Sequence, residues 1–114
     1  MSNRPVAVLL ADILEAIERI ELYTQGLGFN TFEQDRKTVD AVVRNCEIIG
    51  ESANRLPTSF KEADKTIPWE QLVGLRNRIV HEYFGVDVAI IWQVVAHDIP
   101  LLKDGITHLL SQTT

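Results

Sequence analysis

Apolar residues recur along this chain at helical spacing. Val6, Leu9, Ile13, Ile17 and Ile20 share one helical face. Pro5 fits the first turn before them, where its missing N–H costs little. Gly26 and Gly28 follow, and glycine readily takes the left-handed conformation that closes a helix. A first helix is therefore predicted from Pro5 to Gln25. Val39, Val42, Cys46, Ile49, Ala53 and Leu56 step by threes and fours like a coiled-coil seam. Thr31 with Gln34 forms a capping-box pair that predicts where this second helix starts, and Pro57 ends it. At about 100° per residue, Gly50 falls inside the second stripe and predicts a close helix crossing, while Ile48 points to the opposite side.

Thr58 to Thr66 is short and polar, a loop or a single helical turn. Pro68 opens a third helix through Trp69, Leu72, Val73, Ile79, Val80 and Tyr83. Gly85 marks a turn, and Asp87 an N-cap for a fourth helix. Its stripe is Val88, Ile91, Trp92, Val95, Ile99, Leu102, Ile106 and Leu109. The register runs straight across Pro100, which predicts a kinked continuous helix. No stretch alternates with the period of a strand. The pattern predicts an all-α antiparallel four-helix bundle, with room for one extra short helix.

Composition narrows this further. At 114 residues, 46% hydrophobic and 24% charged, the chain reads as one globular domain over 1–114. Lys plus Arg is 11 against 16 Asp plus Glu, a net charge of −5. That argues against broad electrostatic binding of nucleic acid but leaves room for a local basic site in a cleft. A single cysteine permits no internal disulfide and suits a reducing compartment, so a cytoplasmic location is expected. The apolar run from Val6 to Ala11 is broken at Asp12, too short to span a bilayer and without a secretory cleavage pattern. No membrane partner is expected.

Common catalytic signatures are absent. Gly26-Leu27-Gly28 lacks the third glycine of a dinucleotide loop, and His81-Glu82 is followed by Gly85 where a zinc protease needs its second histidine. No metal cluster stands out, and no cofactor is expected. His97 and His108 project away from the Val88 stripe and should be solvated. Cys46 sits on a core seam, as a small hydrophobe would. Glu15, Glu18 and Glu47 read as solvated positions.

The third helix carries the candidate chemistry. With Trp69 at zero, Arg76 falls near 340°, inside the apolar stripe, and Arg78 near 180°, outside it. A guanidinium withdrawn from water needs partners; a carboxylate from another helix, Glu47 or Glu51, is one way to supply them. Asn77 and His81 are four residues apart, share a face and can hydrogen-bond. Arg76 and His81 are separated by about 140° on a straight helix. They cannot grip one small group unless the helix distorts or a second subunit closes the site.

Arg76-Asn77-Arg78-Ile79-Val80-His81-Glu82-Tyr83 resembles the Arg-x(4)-His-x-Tyr signature of HepT-like proteins, a branch of the HEPN superfamily. Ile49-Gly50-Glu51, Asn54-Arg55-Leu56, Ile67-Pro68-Trp69 and the stretch from Trp92 to Pro100 look like that family in the same order. The resemblance covers nearly the whole chain, with no departure at a motif position. It implies a helical, dimeric ribonuclease that needs no metal, in which the Arg–His motifs of two subunits meet in one cleft. His81 would move a proton, Arg76 would hold the phosphate, and Asn77 would orient His81 or touch phosphate. Attack by the ribose 2′-OH would leave a 2′,3′-cyclic phosphate and a 5′-hydroxyl. The resemblance also implies a toxin paired with a small nucleotidyltransferase antitoxin that transfers AMP to Tyr83. The alternative is a non-catalytic HEPN module that binds nucleotide or presents Tyr83 to the transferase, which the acidic charge favours. A third reading is a plain dimeric scaffold, with Arg76 only an ion-pair residue.

Overall fold

In α1 (Val6–Thr24) Leu9, Ile13, Ile17 and Ile20 of the predicted stripe are almost completely enclosed, Leu10 and Ala16 join them, and Val6 is half-buried. This computed structural model describes residues 5–81 and 87–113, without the side chains of Val80 and His81. The carbonyl of Pro5 accepts from the N–H groups of Val8 and Leu9, which opens the helix. Gly26, at φ +78°, lets the chain turn after it.

The start of the second long helix differs from expectation. Thr31 and Gln34 lie inside a separate short helix, α2 (Phe29–Gln34), and cannot cap the next one. The cap of α3 (Arg36–Arg55) is Asp35, whose carboxylate accepts the hydroxyl of Thr38 at 2.8 Å and its backbone N–H at 3.2 Å. Those two bonds hold the Asp35 carboxyl below its ordinary pKa. The extra helix exists because Phe32 is an anchor: it is fully buried, with its ring 5.0 Å from that of Trp92. Cys46 is enclosed in α3, where burial pushes its thiol up to about 12, so it packs as a hydrophobe. Ile48 is half-buried against the core instead of pointing away from it.

After Pro57 the chain makes a second short helix, α4 (Thr58–Glu62). A turn follows in which Asp64 accepts from the Thr66 N–H at 3.0 Å and from the Trp69 indole, through its carbonyl, at 3.2 Å. Helix α5 runs over Trp69–His81. The last helical region starts with Asp87 accepting the Ala89 N–H at 2.8 Å, as the N-cap prediction requires. It continues as α6 (Val88–Gln93), one π turn (Val94–Asp98) and α7 (Ile99–Thr113) without leaving helical dihedral angles at the junctions. Proline lacks the N–H that would bond the carbonyl four residues back, and its ring crowds that carbonyl. The π turn ending just before Pro100 widens the backbone there, so the predicted kink takes this form.

Helix α1 packs on α3 and α7, α3 also packs on α5, and α2 bridges α3 and α6. The Glu21–Lys103 ion pair joins the end of α1 to the beginning of α7, so these two helices run antiparallel. One buried hydrophobic cluster links α1, α3, α5 and the α6–α7 rod. The architecture is an all-α bundle. Among the described residues no helix is long and apolar enough to cross a membrane.

Candidate functional site

The site begins with a glycine. A Cβ built on Gly50 of α3 would lie 2.2 Å from the Cβ of Arg76 and 2.7 Å from the Leu72 carbonyl oxygen. Helix α5 therefore rests directly on the α3 backbone, the close crossing that the sequence places at Gly50. Arg76 is carried past Gly50 to the next residue, where its Nη2 donates to Glu51 Oε1 at 2.8 Å. Of the two candidate acids the fold selects Glu51; Glu47 pairs instead with Arg44 on the outer side of α3.

Arg76 is less withdrawn than its helical position suggests. Among the described side chains of α5, Trp69, Leu72, Leu75 and Ile79 are buried. Leu75, Ile79, Leu72 and Trp69 span an arc from about 240° to 360° when Trp69 is at zero. The predicted stripe omitted Leu75, and two of its members, Val80 and Tyr83, have no described side chain. Arg76 lies within that arc, yet 25% of its side chain is exposed, against 38% for Glu51. Its Nη1 donates to Asn77 Oδ1 at 2.8 Å, and its Nε is buried with no acceptor. The Asn77 carbonyl oxygen serves Arg76; the contact expected between Asn77 and His81 involves a side chain outside the described residues. His81 belongs to α5, while its side chain and all of Tyr83 lie outside the described residues. Arg78 is exposed, as are His97 and His108. Among the described residues no group of His, Cys, Asp or Glu comes together as a metal site.

Beside the Arg76–Glu51 pair lies a cleft of about 840 Å³, bounded by the end of α3, by α4 and the turn after it, and by α5. Asn77 lines this cleft and also bonds Arg76, so one side chain links the guanidinium to the cleft wall. Asn54, one turn beyond Glu51, lines it from α3. Sequence reasoning missed the cleft, because its far wall is the polar segment after Pro57, which reads as an ordinary connection.

The family model described as Ribonuclease HepT-like matches residues 13–109. The chain belongs to this family. Among similar proteins, the "Probable ribonuclease HepT" of Thermococcus cleftensis is 47% identical over 94 residues, covering 82% of this chain and 86% of that one. The "Putative RNase MJ1380" of Methanocaldococcus jannaschii is 38% identical over 103 residues, covering 90% and 94%. The "Putative RNase TTE0752" of Caldanaerobacter subterraneus is 36% identical over 103 residues, covering 90% and 92%. No solved structure matches the chain. In this HepT-like protein the whole signature from Arg76 onward starts on the one helix that rests against Gly50.

Proposed function

We propose that this HepT-like chain is an endoribonuclease that cleaves RNA by attack of the ribose 2′-OH, with Arg76 and His81 as its catalytic residues. One observation carries the reading: a partly exposed guanidinium held by Glu51 and by Asn77, a residue of the cleft wall, on the helix that carries His81. The printed names of the relatives support it.

RNA brings its own nucleophile, so the protein must move a proton and stabilise charge. A histidine with an ordinary pKa near 6.5 can take the 2′-OH proton or give one to the leaving 5′-oxygen. Arginine keeps its charge and matches phosphate with a planar fork. Of its five N–H donors, one goes to Glu51, one to Asn77, and Nε is buried. The two remaining Nη hydrogens are left for the phosphate oxygens, on which charge grows in the transition state. Since Arg76 and His81 diverge by about 140° around α5, a homodimer would complete each site with residues from two copies.

Control of the nuclease falls to Tyr83. A small nucleotidyltransferase antitoxin would deliver AMP: the Tyr83 phenolic oxygen attacks the α-phosphorus of ATP, pyrophosphate leaves, and a base accepts the phenolic proton. The added phosphate two residues from His81 would obstruct the cleft and repel RNA. The second reading, a non-catalytic module acting through Tyr83, draws on the pairing of Arg76 with Glu51 and on the net charge of −5. Both versions accept label from ATP at Tyr83, and Tyr83→Phe removes it. Only the nuclease cuts RNA in EDTA, and it loses cutting after AMP transfer. Arg76→Ala and His81→Ala proteins are expected not to cut. Equal activity in all three preparations would identify a contaminant and contradict the proposal.

A further inference from the structure

The cations of this acidic chain are unevenly used. Arg19, Arg36, Arg44, Arg76 and Lys103 each hold a carboxylate in an ion pair. Lys61, in the last turn of α4, and Lys65, in the turn that follows, have no such partner among the described residues, and both line the cleft beside Arg76. A free lysine at the rim of an open groove is an electrostatic contact waiting for an anion. Asn54 and Asn77 add side-chain amides to the same walls, and Asn77 is bonded to Arg76. The cleft thus holds two unpaired ammonium groups together with Asn77, the residue bonded to Arg76.

Its chemistry also says how a strand would be held. Trp69 is among the lining residues, but it is 6% exposed and its indole N–H is spent on the Asp64 carbonyl. It offers no face for stacking a base. Contacts would go to phosphate and sugar, which position a strand without reading its sequence. Glu62 and Glu70 line the cleft too, so the walls are not uniformly basic. Binding there would rest on point contacts from the lysines against a repulsive background.

We propose that this cleft is the track for single-stranded RNA flanking the bond to be cut, with Lys61 and Lys65 neutralising backbone phosphates and Asn54 and Asn77 bonding the sugar–phosphate chain. The choice of RNA rests on the ribonuclease reading. The test is fluorescence anisotropy with a labelled unstructured 12-nucleotide RNA and His81→Ala protein, titrated over a range of salt. Loss of two phosphate contacts lowers the slope of log affinity against log salt by about 1.4 for a single strand. Lys61→Gln/Lys65→Gln added to His81→Ala is expected to show that shallower slope and weaker binding. Glu62→Gln/Glu70→Gln, which keeps both lysines, is expected to tighten binding. An unchanged slope in the first and unchanged affinity in the second would overturn the track, as they would if the cleft accepted a protein segment instead. Cleavage of the same RNA by the wild-type chain is read separately. Cutting with an unchanged slope removes the track alone; a shallower slope without cutting removes the ribonuclease reading alone.

Discussion

Replacing Gly50 with alanine is expected to destabilise the protein by about 2–3 kcal/mol, which lowers Tm by roughly 10 °C in a domain of this size. In an isolated helix the change would help, since glycine is about 1 kcal/mol worse than alanine in a helix interior. Here the new methyl would sit 2.2 Å from Arg76 Cβ and 2.7 Å from the Leu72 carbonyl. Neither atom is the free end of a side chain, so α5 itself must move away from α3. Gly74→Ala is the internal control. It lies in α5 with nothing within 4 Å of its added Cβ, and should stabilise by about 0.5–1 kcal/mol. Thermal melts followed by circular dichroism read both. Two glycine-to-alanine changes in packed helices with opposite signs are the signature of the Gly50 contact; equal, small effects would remove it. Because the shift carries Arg76 away from Glu51, Gly50→Ala should also lose RNA cleavage at temperatures where it remains folded.

Arg76→Lys is expected to reduce cleavage at least 100-fold while leaving Tm within a few degrees. The loss is of the size seen when one preorganised donor to a developing oxyanion is removed. Lysine keeps the charge, and its Cβ keeps the contact over Gly50. A single ammonium cannot hold Glu51, reach Asn77 and present a planar fork to phosphate together. If Arg76 served only as the partner of Glu51, lysine would replace it well and cleavage would survive. Initial rates on one RNA, with melts on the same preparations, decide between these outcomes.

The fold was legible wherever the signal was local. The α1 stripe, the stop at Pro57, the Asp87 cap and the continuity across Pro100 follow from periodicity and backbone chemistry within a few residues. The start of α3 was not, because Phe32 buries itself against Trp92, some 60 residues away, and so makes its own helix ahead of the Asp35 cap. Gly50 could be read as a close crossing, but nothing local says that Arg76 is what crosses there. Arg76 stood out as a cation within an apolar stripe. The choice of Glu51 over Glu47, and the role of Asn77 as its second acceptor, depend on how α5 lies across α3. Lys61 and Lys65 were invisible for the same reason: their meaning comes from sharing a cleft with Asn77, and a short polar segment gives no hint of that.

The chemistry of the new RNA ends tests the central claim most directly. With EDTA present, fragments cut by the wild-type protein should carry a 2′,3′-cyclic phosphate on one side of the break and a 5′-hydroxyl on the other, since the 2′-oxygen attacks the phosphorus and the 5′-oxygen leaves. Fragments bearing a 5′-phosphate and a 3′-hydroxyl would mean that water made the attack, and the roles given to Arg76 and His81 would be wrong.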